Sequence, residues 1–274
     1  MNSTRTATIA RYLVLTLMAV AILLPFVSIV LAALHPAGAQ ISGLRVPETW
    51  SWSNFADAWD KANFSHLVLS SLIIAAGVVP LSLVLATLAG YSLATLDPLG
   101  GRPISIAFVL GLTLPIELVV VALYFDLNQV GLTNSYTGVI LAETALFMPF
   151  GVYWMQTHFA AVPRELLEAA RVDGARSFAI LVRILLPISW PAVTTLGVLY
   201  FMWSWNQFLL VIVLMQDPNR RTAPAGLGFF VGQYSTDIPL LSAASLIVIG
   251  PIVVLYLLFQ RNFVSGLTQG AVKG

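Results

Sequence analysis

Apolar and polar residues in this chain are sorted into long blocks rather than short alternations. Six stretches of about twenty residues or more are almost wholly apolar: 12–34, 66–96, 104–125, 136–155, 192–215 and 240–259. A helix rises about 1.5 Å per residue, so roughly twenty apolar residues cross a hydrocarbon layer about 30 Å thick. The pattern predicts six transmembrane helices. Pro25, Pro80, Pro115, Pro149 and Pro251 fall near the middle of five of them. In a membrane bundle such prolines read as kinks, because neighbouring helices can satisfy the freed carbonyls.

The first block shares some features with a signal peptide. Arg5 and Arg11 lie at its start, and Ala37-Gly38-Ala39 after it resembles a signal-peptide cleavage site. The apolar run is longer than the 7–15 residues usual for a signal peptide, so an uncleaved first helix is expected.

Composition agrees with the blocks. Charged residues make up 9% of the 274 and hydrophobic residues 58%, and the mean hydropathy is +0.89. A soluble domain carries about a quarter charged residues, so this chain lacks the polar surface to be one. An all-α membrane protein is expected. Basic residues set its orientation. If the N-terminus is cytoplasmic, the inner segments hold Arg5, Arg11, Arg102, Arg164, Arg171, Arg176, Arg183, Arg261 and Lys273, against Arg45, Lys61, Arg220 and Arg221 outside. The asymmetry predicts both termini in the cytoplasm of a multi-pass cell-membrane protein.

The remaining counts exclude chemistries. With no cysteine there is no disulfide, thiolate metal site or cysteine nucleophile. His35, His66 and His158 are far apart, so no metal is expected. A net charge of +1 without a basic block argues against nucleic acid. Neither Lys61 nor Lys273 sits in a phosphate-binding glycine loop, so the chain does not bind ATP that way.

Between the first two spans, 35–65 is amphipathic. Its Trp50, Trp52, Phe55 and Trp59 suit a short helix at the headgroup level, or a partner surface. The last outer loop, 216–239, is long for a simple connection.

The most polar stretch lies between the fourth and fifth spans, at 158–190. Pro163 suits the first turn of a helix, with Glu165 and Glu168 near its positive end. Leu166, Leu167, Ala170 and Val172 are read as its apolar stripe. Gly174 would let the chain leave the helix in a left-handed conformation, and Ser177 would cap a second helix that Pro187 and Pro191 bend toward the membrane. Periodicity alone is equally consistent with an amphipathic helix lying under the bilayer.

The residues themselves are more specific. Glu168-Ala169-Ala170, Gly174, Ile184 and Leu186-Pro187 fit the spacing E-A-A-x3-G-x9-I-x-L-P at every fixed position. This resembles the signature loop of ABC-importer permeases. The stretches 46–55 (VPETWSWSNF), 90–102 (GYSLATLDPLGGR), 131–141 (GLTNSYTGVIL) and 201–208 (FMWSWNQF) are similar to the carbohydrate-uptake branch, the maltose, trehalose and glycerol-phosphate type. The ending 266–274 (GLTQGAVKG) resembles that of the smaller, six-span maltose-transporter permease. Gln207 stands where the family often has Asp, and Ser70-Ser71 where it has Asn-Ser.

The resemblance implies a type I ABC-importer permease fold. It implies an N-terminal span with an external segment (1–65), a permease domain (66–260) carrying the coupling loop, and a cytoplasmic tail (261–274). It also implies a second, non-identical permease, an external solute-binding protein, and two ATPase subunits that bind ATP and Mg, this chain holding no cofactor itself. Glu168, Ala169, Ala170, Gly174, Ile184, Leu186 and Pro187 would then couple to the ATPase. The solute would be a carbohydrate, a polyol or a glycerophosphodiester.

Candidates for lining the pathway come from the spans. Glu117 and Glu143 are carboxylates within apolar runs, costly unless paired or facing water. Trp203, Trp205, Asn206 and Gln207 offer the aromatic faces and amides that a sugar needs. Helix cross-linking and packing are the plainer roles for all six. A proton-coupled carrier using Glu117 or Glu143 is the alternative reading, and it leaves the signature loop unexplained. A membrane enzyme lacks a metal cluster or nucleophile–base pair. The stripe Ala86, Gly90, Ala94 allows close helix approach.

Overall fold

A computed structural model describes residues 5–232 and 235–271, with side chains from 7 to 260. Lys273 and the last residues of the 266–274 segment lie outside the described residues, as do the side chains of the rest of that segment and of Arg261. The chain divides into two compact units, Met1–Ser65 with Gly226–Gly250, and His66–Ala225 with Pro251–Gly274.

The first unit contains α1 (Arg5–Ala33) and α2 (Ser53–Lys61). Among the described residues, nothing in the most apolar window of α1 is buried. Its end is tied down through Asn54 of α2. This buried amide donates to the carbonyls of Ala33 at 2.8 Å and His35 at 2.6 Å. The amphipathic helix expected in 35–65 is α2, with Trp50 and Trp52 exposed before it. The unit also holds the start of α12 (Ile238–Ala271). Asp237 caps that helix by accepting from the Leu240 N–H at 3.2 Å, and the same carboxylate accepts from Gly38 N–H at 3.2 Å.

The second unit is built on α6 (Tyr136–Ala160), which is unbroken across Pro149. Ser135 caps it, accepting from Gly138 N–H at 3.0 Å. Alongside run α3 (Phe64–Tyr91) and two interrupted spans. The third span is not the single kinked helix that the apolar run suggests. It divides into α4 (Gly101–Gly111) and α5 (Ile116–Gln129), bent by 106°. Pro115 sits at the break as the cap of α5, because proline lacks an N–H and disfavours helical backbone in the residue before it. The fifth divides into α10 (Trp190–Asn206) and α11 (Leu209–Leu214) around an extended Gln207, without a proline. Gln207 holds this gap: its side-chain oxygen accepts from Leu210 N–H at 3.4 Å, and its carbonyl accepts from the Thr222 hydroxyl at 3.1 Å. Among the described residues four helices are long and apolar enough to cross a bilayer alone, and up to six crossings result if two bent pairs, α4 with α5 and the run Ser177–Ile188 with α10, each count once.

The halves sort by partner. α4 and α10 pack on α6, while α5 and α11 pack on α6 and on each other. α3 approaches α6 at the small-residue stripe. A Cβ built on Gly90 would stand 2.7 Å from the Met155 Cβ and 2.8 Å from the Gln156 backbone nitrogen. A backbone neighbour cannot turn aside, so Gly90→Val should cost about 1–3 kcal/mol through overpacking. The expected outcome is a lower midpoint of thermal unfolding in detergent. An unchanged midpoint would show that the two helices can separate freely at this point.

Candidate functional site

The polar stretch folds as the spacing suggests, with differences that matter. Pro163 stands at the cap position of α7 (Arg164–Val172), with Glu165 in the first turn and Arg171 in the last, each at the helix end that favours its charge. Gly174 ends the helix at φ +81°. Its N–H bonds the Arg171 carbonyl at 3.0 Å and the next N–H, of Ala175, bonds the Ala170 carbonyl at 2.9 Å. These two bonds make a complete Schellman stop. Ser177 is not a cap. Arg176 takes that position without a side-chain bond, and Ser177 opens α8 (Ser177–Ile180). A π-turn (Leu181–Leu185) and α9 (Leu186–Ile188) continue to α10, and the run Ser177–Ile188 meets α10 at 80°.

The stripe of α7 is narrower than its apolar residues suggest. Leu167 and Ala170 are buried, but Leu166 is 48% and Val172 88% exposed. With exposed Ala169 they form an outward apolar row at i, i+3 and i+6, beside exposed Glu168. The row leaves apolar surface uncovered in the most polar part of the chain. Beyond the bend, Ile184 and Leu186 are half-buried against the core and Pro187 is exposed.

On its inner side α7 meets the end of α3. There the chain forms a π-turn (Ser92–Leu96), after which Asp97 takes a left-handed conformation. The Arg171 guanidinium donates to the Thr95 carbonyl at 3.3 Å. The Tyr91 hydroxyl donates to the Ser177 carbonyl at 2.8 Å. Between α7 and this turn lies a cleft of about 380 Å³, with Thr95, Asp97, Arg164, Glu168 and Arg171 in its walls.

Within the spans, the sequence candidates separate. Glu117 is exposed in the first turn of α5, just past the Pro115 break. Glu143 is fully buried in α6, and neither carboxylate oxygen has a hydrogen-bond partner. The Ser204 hydroxyl faces it without completing a bond. Trp205 is buried and stacked on Phe201, with ring centres 5.6 Å apart. Trp203 is half-buried among Phe147 and Phe150, at 5.5 and 5.0 Å, and with them lines a cavity of about 470 Å³ beside the α4–α5 break. Asn206 is exposed at the α10–α11 break, and Gln207 is engaged as described. Phe147 and Phe150 were not among the sequence candidates, because nothing in their spacing separates them from core residues.

Known proteins resolve what this arrangement belongs to. Residues 82–269 match the model of the binding-protein-dependent transport system inner membrane component. The chain belongs to that family. It is therefore a multi-pass inner-membrane permease of an ABC importer, a membrane subunit and not itself an enzyme. The permease is 32% identical to the arabinooligosaccharides transport system permease of Halalkalibacterium halodurans, over 91% of each chain. It is 29% identical to the diacetylchitobiose uptake system permease of Streptomyces coelicolor, covering 94% of this chain and 87% of that one. It is also 29% identical to the melibiose/raffinose/stachyose import permease of Bacillus subtilis, over 96% and 95%. In structure it resembles a chain of a bacterial ABC transporter involved in the import of alginate, with a TM-score of 0.80, 18% identity, and coverage of 96% and 99%. These relatives place the permease in the carbohydrate-uptake branch. Family membership also sets aside the proton-coupled carrier.

The Schellman stop gives a direct test of the loop. A side chain in the left-handed region costs roughly 1–2 kcal/mol. Gly174→Ala should therefore speed hydrogen exchange at the amides of position 174 and Ala175 while leaving α6 protected. Unchanged exchange would show that the bend does not depend on glycine.

Proposed function

We propose that this permease lines one half of a pathway for a sugar or sugar-like solute, and that the outward face of α7 is the docking surface for an ATPase subunit. The observation that carries the reading is the uncovered row Leu166, Ala169 and Val172. It lies on a helix with a rigid stop, inside the E-A-A-x3-G pattern. An exposed apolar row this close to charged residues is the form a protein contact takes. Glu168 supplies a polar contact at its edge, Ala169 the close approach, and Gly174 the bend. Ile184 and Leu186 pack the loop against the core ahead of the span that follows, and exposed Pro187 starts the turn toward that span.

The partners follow from the same reading. Two ATPase subunits bind ATP and Mg, a second non-identical permease completes the pathway, and an external binding protein delivers the solute. The unburied α1 supports a second membrane chain or lipid beside it. The distribution of Arg and Lys supports cytoplasmic termini, which puts α7 on the ATPase side. For the pathway, the breaks matter most. Non-helical backbone at membrane depth is tolerated where it is buried or lines a water-filled cavity. Exposed Glu117 and Asn206 stand at those breaks, and Trp203 with Phe147 and Phe150 offers aromatic faces to sugar C–H groups. Relatives that carry arabinooligosaccharides, diacetylchitobiose and melibiose support a carbohydrate as the solute.

The test is to solubilise native membranes in mild detergent, recover the tagged permease, and identify what co-purifies. A P-loop ATPase and a second permease are expected. Ala169→Arg sets a charge in the apolar row without touching the fold. It should leave insertion intact and lower ATPase recovery and uptake by about tenfold, the equivalent of ~1.4 kcal/mol of docking free energy. Full ATPase recovery with Ala169→Arg would refute the assigned surface.

A further inference from the structure

The two hydrogen bonds between α7–α8 and the end of α3 are placed symmetrically about the bend. Arg171, three residues before Gly174, reaches the Thr95 carbonyl at 3.3 Å. Ser177, three residues after it, receives the Tyr91 hydroxyl at 2.8 Å. Both acceptor and donor on the α3 side are themselves fixed. Tyr91 is only 5% exposed and its ring meets Phe159 of α6 edge-on, with centres 6.3 Å apart. The Thr95 hydroxyl donates back to the Tyr91 carbonyl at 2.8 Å, tying the π-turn to the end of α3.

Gly174 is held by the two local bonds of its Schellman stop. Its φ is +81°, and a Cβ placed there would meet nothing within 4 Å. If those two bonds were the whole restraint, a push on α7 strong enough to break them would turn the chain about Gly174, and α8 would not follow. Two attachments straddling the joint prevent this, because rotation of either side against the other would break one of them. We propose that Tyr91 and Arg171 form a clamp across Gly174 that carries displacement of α7 into α3, and through the close contact at Gly90 into α6. Tyr91 is a positioning residue in this scheme: it touches neither solute nor ATPase. The clamp rests on the reading of α7 as the docking surface, and it names the route by which movement leaves that surface.

The experiment uses the assembled transporter in proteoliposomes, supplied with its binding protein and solute. It measures three quantities for Tyr91→Phe, Arg171→Gln and the double variant: ATPase subunits recovered per permease, uptake, and ATP hydrolysed per solute imported. Tyr91→Phe keeps the ring packing and removes only the donor. It is expected to recover ATPase like the wild type while the ATP cost per solute rises about fivefold, the equivalent of ~1 kcal/mol. The double variant should rise further. A structural role alone would lower recovery and leave that ratio unchanged. If Tyr91→Phe assembles poorly, Arg171→Gln decides, since Arg171 is exposed and its loss spares the core. A wild-type ratio in both overturns the clamp. Ala169→Arg separates the two claims: if it abolishes docking while Tyr91→Phe keeps the wild-type ratio, the clamp alone fails. If it leaves docking intact, the docking surface fails, and the clamp fails with it.

Discussion

Inside a hydrocarbon layer a backbone N–H or C=O without a partner costs several kcal/mol, so an unbroken helix is the default and each interruption has to be compensated. The permease interrupts two of its spans and keeps α6 whole between them. Where α4 gives way to α5, proline removes the need for one donor. Where α10 gives way to α11, the chain uses its own Gln207 and the Thr222 hydroxyl. The rest of the second unit is arranged around these repairs. α4 and α10 lie on α6, α5 and α11 lie on α6 and on each other, and the small residues of α3 approach α6 as well.

The polar loop, outside the apolar blocks, is held by local bonds and packing of its own. α7 is only nine residues long and would not hold as an isolated helix. It is stabilised by two buried residues on its inner face, by charges matched to its ends, and by a stop that satisfies two carbonyls. Among the described residues nothing covers its outer apolar row. A short helix can therefore present a surface of fixed shape, which a flexible loop of the same composition could not do without a larger ordering cost on binding.

Much of this was legible in the residues. The apolar runs marked each crossing because length and hydropathy are properties of the chain alone. The loop was legible twice over, once as a helix with a glycine end and once as a spacing pattern. What could not be read was anything decided by neighbours. Leu166 and Val172 are as apolar as Leu167, and only the position of the α3 turn settles which of them is covered. Gln207 gave no sign of opening a helix, since its effect depends on Thr222, fifteen residues away. Glu117 and Glu143 looked alike in sequence, yet one is exposed at a helix start and the other sealed in the core. Tyr91 was visible only as part of a resembling segment, because its partner at Ser177 is 86 residues distant.

The bare surface of α1 has a consequence for how the protein is made. Its most apolar window has a mean hydropathy of 2.8, and none of it is buried among the described residues. Its side chains therefore gain as much from lipid as from any later contact within the chain. Such a segment can enter the bilayer while the remainder is still being synthesised, with no need to wait for a folded core. Entry in that order would tether the permease before it is folded, so that the later crossings search for their neighbours in two dimensions instead of three.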